Sequence, residues 1–439
     1  MTKNCSNEKQ AHVIFAKGLP TEKNNADMNL NTQILIAAIL GLAFGFVLTM
    51  YPDTAFVKHS LYGLGILSSV FIGLLKMLLV PLIFSSIVVG VSNLQAGGQL
   101  GPVWKITFLC FITTTTLALF LGIGCAHLFE VGRGVDISIF QASMQNYQAP
   151  DSLNPATFFT NFIQNTLINP FKAFSDGNVL AVVVFALFVG FALVQGGERF
   201  KSIRLLSHQF FEMMMMLVGW VMKLAPLGIF ALLAKLMATE DISVLSRLAE
   251  FAVVVTGTTI FHGAVVLPLL LWIVGRMSPW TFFKGTRTAL ITAFATSSSS
   301  ATMPLSMKCT QENLGVRPQT AGFVIPLGSQ LNMDGTALYE AAAALFVANL
   351  VGLDLNLTQQ IVVCLTAMIA SLGAPGIPSA GMVTMIMVLQ SVGLPAEAIA
   401  ILLPIDRLLD TVRTVVNVQG DMMISVVVDR YTKEKDISF

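Results

Sequence analysis

The feature that most constrains this chain is a succession of long apolar runs almost free of charge. Gln33 to Met50 carries no charge, and Leu61 to Val91 is interrupted only by Lys76 and Pro81. Each run meets the roughly 20 residues that a helix needs to cross a hydrocarbon core of about 30 Å; the second is long enough to require strong tilt. Further runs cover Ile106 to Leu128, a segment from near Phe158 to Val194, Phe210 to Leu236, and Phe251 to Val274. Only 11% of the 439 residues are charged, against roughly 25% in an ordinary soluble domain. Lipid rather than water is the expected solvent, and a net charge of +1 makes no electrostatic case for nucleic acid.

Cytoplasmic loops of membrane proteins retain Lys and Arg. Arg199, Lys201 and Arg204 follow the fourth run, Arg276, Lys284 and Arg287 follow the sixth, and Arg430, Lys433 and Lys435 close the chain. With the amino terminus inside, all three clusters fall on the cytoplasmic side, as do both termini. The loop from Glu130 to Asn154 has Arg133 as its one basic residue and suits the outer face. The first thirty residues hold Lys3, Lys9, Lys17 and Lys23 without the apolar core of a signal peptide, and read as a cytoplasmic tail. Five irregularly spaced cysteines, Cys5, Cys110, Cys125, Cys309 and Cys364, form neither a disulfide framework nor a zinc pattern.

Beyond the sixth run the apolar segments become short and rich in Gly, Ser and Pro. Ile291 to Leu305 (ITAFATSSSSATMPL) and Ile369 to Val383 (IASLGAPGIPSAGMV) look paired, each a small-residue tip between arms too short to span alone. Both read as re-entrant hairpins, because irregular backbone at membrane depth survives only where it lines a cavity or is buried in protein. Between them, Pro326 to Ala348 reads as a broken span with Asn332, Asp334 and Gly335 at its middle. Interrupted segments at matching places in two halves mark the binding site of a secondary transporter.

The last span, near Ile399 to Val428, carries Asp406, Asp410, Arg413, Asn417 and Asp421. At about 100° per residue all five fall within an arc of roughly 80°. Each charge at the bilayer centre costs on the order of 3 kcal/mol, so such a stripe faces inward and serves a purpose. Arg413 offers a planar fork suited to a carboxylate, or an internal salt bridge with Asp410 one turn away. Asp334 and Asp421, with nearby amides and hydroxyls, are hard oxygen donors suited to alkali cations. An ion channel is the rival reading, since polar rings also serve conduction.

Four motifs carry a family resemblance: TSSSSATMP (Thr296 to Pro304), NMDGTALYE (Asn332 to Glu340), GAPGIPSAG (Gly373 to Gly381) and DTVRTVVNVQGD (Asp410 to Asp421). The chain resembles the dicarboxylate/amino acid:cation symporters, which include the excitatory amino acid transporters and their prokaryotic relatives. The resemblance implies an all-α polytopic fold of eight transmembrane helices plus two re-entrant hairpins in inverted repeats, assembled as a homotrimer and working as an elevator. It implies a tail at 1–30, six spans at 31–278, a transport core at 279–430 and a second tail at 431–439. Helices 1, 2, 4 and 5 would form the scaffold, with helices 3 and 6 joining the core.

For an acidic amino acid, glutamate or aspartate, the resemblance implies a site of Ser297, Ser299, Thr336, Ile377, Gly381, Asp410, Arg413, Thr414 and Asn417. Arg413 would hold the side-chain carboxylate with Thr336 and the Gly381 backbone, Asp410 the amino group, and Asn417 with the Ser299 backbone the main carboxylate. Co-transported sodium would bind at Asp421 with Gly328, Asn332 and Asn417. A second ion would lie among Phe111, Thr114, Thr115, Asn332 and Asp334, and a third near Gln330, Ser371, Leu372 and Ala374. Glu340 stands where animal members have a proton-carrying glutamate, and a carboxyl in apolar surroundings favours its neutral form. Archaeal members keep an Arg at the place of Ser297 and animal members one at the place of Thr411; this chain has neither, though Arg407 lies on the same span. A proton-driven or C4-dicarboxylate symporter of the same fold is the alternative within the family, and an anion-conducting channel the alternative outside it.

Overall fold

The computed structural model describes residues 30–51, 54–92, 101–134, 163–164, 167–239, 242–373, 376, 380–395 and 398–436. The tail before Leu30, most of the loop from Glu130 to Asn154, the expected start of the fourth run near Phe158, and the site candidates Ala374 and Ile377 lie outside these residues. The described residues are helical, with no strand among them.

The first three runs become α1 (Leu30–Thr49), α2 (Ala55–Ser92) and α3 (Gly101–Leu128). At 1.5 Å per residue, the 38 residues of α2 extend about 57 Å, nearly twice a hydrocarbon core. A short α4 (Pro170–Asp176) precedes α5 (Val179–Gly196), and a 3₁₀ turn joins α5 to α6 (Lys201–Lys223). The expectation of one span from Phe210 to Leu236 is corrected here: the helix stops at Leu224 and restarts as α7 (Ala225–Thr239). Pro226, at the second position of α7, lacks an N–H and crowds the preceding turn, so it opens a helix more readily than it continues one.

The next helix, α8 (Ile242–Phe261), runs on through π turns at His262–Val266 and Leu271–Gly275. Each small-residue tip joins two helices: α9 (Pro279–Thr296) to α10 (Ser299–Lys308), and α13 (Leu357–Gly373) to α14 (Ala380–Ser391). The broken span is α11 (Pro318–Leu331) and α12 (Asp334–Leu350), and α15 (Ile399–Asp436) ends the described chain.

Helices α1, α2, α5, α6 and α7 pack largely on one another, while α3, α8 and α9 to α12 gather around α15. Every residue of α12 except Asn349 is buried, which its Ala341–Ala344 run permits by letting neighbours approach. The apolar residues of α15 fall in two clusters, one ending at Leu409 and the other starting at Val416. The polar residues Asp410 and Arg413 occupy the seam between them. Large apolar side chains such as Phe120, Phe188, Trp220 and Trp272 remain exposed on the outer helices, the surface a bilayer covers. The protein is a multi-pass membrane protein.

Candidate functional site

Local backbone breaks bring the site together. At the first tip Ser297 takes the left-handed conformation (φ +50°), at a cost of roughly 1–2 kcal/mol for a residue with a Cβ, and α10 then starts behind the Ser298 cap. The Ser298 hydroxyl donates to the Gly376 carbonyl at 2.8 Å, and the Ser300 N–H donates to the same oxygen at 3.0 Å. The second tip thus rests on the first. A Cβ at Gly376 would lie 2.5 Å from the Ser329 carbonyl oxygen, so only glycine fits this contact. Gln330 completes the junction by donating to the Ser300 hydroxyl at 3.0 Å.

The break between α11 and α12 falls at Asn332 and Met333, whose φ values near −120° lie outside the helical region. Met333 offers no side-chain cap. Asn417 of α15 supplies it instead, its Oδ1 accepting the Gly335 N–H at 2.8 Å while its amide donates to the Thr336 hydroxyl at 3.3 Å. The amino-terminal end of α12, where orphan N–H groups concentrate, therefore faces the polar stripe.

Arg413 is the largest buried side chain, 1% exposed. Its Nη2 donates to Asp406 Oδ1 at 2.6 Å and to Asp410 Oδ1 at 3.1 Å, and its guanidinium lies 4.1 Å from the centre of the Tyr339 ring. Nε and Nη1 have no hydrogen-bond partner. Arg407 Nη1 stands 3.7 Å from Asp410 Oδ2. Two arginines thus balance two aspartates, the arrangement that makes buried charge tolerable. Gly381 opens α14 beside them: a Cβ there would meet Thr336 Cγ2 at 3.1 Å and Arg413 Nη1 at 3.5 Å. Glu340 is fully buried and accepts a hydrogen bond from Thr384, leaving its Oε2 unpartnered.

A second group of oxygens surrounds the helix break. Asp334 Oδ1 accepts from Thr115 at 2.7 Å and from Thr114 at 3.2 Å, and Thr114 also reaches Asn332 Oδ1 at 3.5 Å and the Phe111 carbonyl at 3.3 Å. Asn332 donates to Asp421 Oδ1 at 3.1 Å, and a Cβ on Gly328 would strike that carboxylate. Phe111, Thr114, Thr115, Asn332 and Asp334 therefore converge, as do Gly328, Asn332 and Asp421, with Asn417 close by on α15.

The remaining candidates are less closely knit. The Ser371 hydroxyl turns back to the Met368 carbonyl at 2.8 Å, and Gln330 is held by Ser300. Ser297, Ser299 and Thr414 are buried near the tips and the stripe, while Thr411 is half-buried and its hydroxyl donates to the Leu408 carbonyl at 2.7 Å. Sequence reasoning set Asp410 as the internal partner of Arg413, but Asp406 makes the shorter contact. It lies seven residues earlier, and helical side chains lean toward the amino terminus, so a long arginine reaches two turns back. The spacing of Tyr339 gave no sign that its ring lies under the guanidinium.

The chain is similar over most of its length to known proteins. The model of the sodium:dicarboxylate symporter family matches residues 30–431. An excitatory amino acid transporter of Caenorhabditis elegans is 36% identical over 82% of this chain and 80% of its own length. Excitatory amino acid transporter 3 of Homo sapiens is 33% identical over 91% of this chain and 84% of its own length. Excitatory amino acid transporter 1 of Ambystoma tigrinum is 33% identical over 91% and 82% respectively.

Proposed function

This chain belongs to the sodium:dicarboxylate symporter family, and from that premise we propose that it takes up an acidic amino acid together with sodium. One observation carries the substrate class: Arg413 is buried with Nε and Nη1 unpartnered, beside Thr336, Gly381 and Asn417. A buried guanidinium with free donors suits a carboxylate held in bidentate fashion. Asp410, shared between Arg407 and Arg413, takes the amino group once a substrate carboxylate competes for Arg413. Asn417 and the backbone at Ser299 take the main carboxylate. Arg407, reaching Asp410 from the same helix, supplies the second arginine that Ser297 and Thr411 do not.

Sodium ions are co-transported substrates at the two oxygen groups, one around Asp421 and Gly328 and one around Asp334, Thr114 and Thr115. A third sits at carbonyls near Gln330, Ser371 and Leu372. Glu340 carries a proton. The grouping of α1, α2, α5, α6 and α7 apart from the helices around α15 supports a scaffold and a mobile core moving as an elevator, with eight spans, two re-entrant hairpins, a trimer and cytoplasmic termini in the cell membrane.

Purified protein in liposomes should accumulate aspartate or glutamate only under an inward sodium gradient. Uptake indifferent to sodium would favour the proton-driven alternative, preference for succinate over aspartate the C4-dicarboxylate one, and current without solute uptake a channel.

A further inference from the structure

His262 is fully buried in the first π turn of α8, and neither ring nitrogen has a hydrogen-bond partner. Its sequence setting, a lone histidine in an apolar helix, suggests a residue satisfied within its own helix. The structure places it instead 3.5 Å from Asp334, Nε2 facing Oδ2. That oxygen is also without a hydrogen-bond partner, whereas Oδ1 accepts from both Thr114 and Thr115. A π turn adds one residue to a helical turn and redirects the side chains that follow, which is why such turns collect at functional sites. This one is clamped: Gln419 of α15 donates to the Gly263 carbonyl at 2.6 Å.

We infer that His262 is a positioning residue for the Asp334 cation site, its Nε2–H holding Oδ2 so that Oδ1 points at the ion. The inference rests on the reading of Asp334 as a sodium ligand. When the threonine oxygens turn their lone pairs to an ion, their protons leave Oδ1, and the carboxylate keeps its orientation only through a donor on its other oxygen. A buried unpaired carboxylate oxygen is costly, and partners of this outer kind typically change metal affinity 10- to 100-fold. His262 therefore acts through Asp334 on sodium and leaves the substrate seat at Arg413 alone.

The test is sodium activation of aspartate uptake in liposomes for the wild type, His262→Phe and His262→Gln. Phe fills the space without a donor and should raise the half-activating sodium concentration about tenfold, leaving the aspartate KM at saturating sodium within about twofold. Gln restores a donor near the Nε2 position and should return sodium activation to within about threefold of wild type. A Phe variant that titrates like wild type, Phe and Gln variants that shift alike, or an equal rise in aspartate KM would overturn the inference. Should the Phe variant not fold, Gln419→Leu releases the π turn and should also weaken sodium activation; no change would overturn it. Asp334→Asn, measured alongside, separates the two levels, because unaltered sodium activation there sinks the cation site itself and the His262 role with it.

Discussion

Gly328→Ala tests the cation site with a single methyl group. A Cβ at this position would lie 2.2 Å from Asp421 Oδ1 and 2.7 Å from its Cγ, where ordinary contact begins at 3.4 Å. The carboxylate must therefore retreat by about 1.2 Å, and its 3.1 Å bond from Asn332 is lost. Opposing this, alanine is better than glycine inside a helix by about 1 kcal/mol. A hydrogen bond to a charged group is worth about 1.5–3 kcal/mol, so the clash wins by roughly 1 kcal/mol and the fold survives. Sodium binding suffers more, because disturbing the contacts that orient a metal ligand typically costs 10- to 100-fold in affinity. The assay is sodium activation of aspartate uptake in liposomes, with thermal melting in detergent as the control for folding. A half-activating sodium concentration within twofold of wild type would refute the assignment of Asp421 as a ligand held by Gly328.

Arg413→Cys should abolish uptake of acidic substrates and admit a neutral amino acid, read as a switch in competition by serine against labelled aspartate; retained aspartate binding contradicts the carboxylate role. Glu340→Gln keeps an acceptor for Thr384 but no exchangeable carboxyl proton, so sodium-driven uptake should proceed without internal acidification, and persistent acidification removes Glu340 as the carrier. Gly45→Ala would place a Cβ 2.5 Å from the Ala234 carbonyl oxygen, prying α1 from α7. Overpacking of this kind costs about 1–3 kcal/mol, visible as a lower melting temperature with sodium activation unchanged.

The parts of the site legible in advance were those set by helical period and backbone chemistry. Asp410, Arg413, Asn417 and Asp421 share a face because their spacing obliges them to, and the polar cluster from Asn332 to Gly335 marked a broken span whose break falls at Asn332 and Met333. The two tips followed from serine, glycine and proline between arms too short to cross a bilayer. Less legible was anything that depends on where one helix meets another. Asp406 was on the predicted stripe, yet only the reach of Arg413 toward the amino terminus made it the closer partner. The division of the fifth run at Leu224 had a signal in Pro226, which the continuous hydropathy around it concealed.

By itself the sequence determined a chain dissolved in lipid, its broken segments and the polar stripe on its last span, from which the expected orientation and the proposed site were read. These are properties of residue type and of spacing along one helix, where geometry is fixed by the backbone. Tertiary structure decided which oxygens converge at the helix break, that Tyr339 lies beneath Arg413, that Gly376 seals the two tips, and that His262 faces Asp334. Each of these joins residues tens to hundreds of positions apart, and their meeting depends on packing among buried helices. A pattern read along one strand of sequence carries no record of that packing.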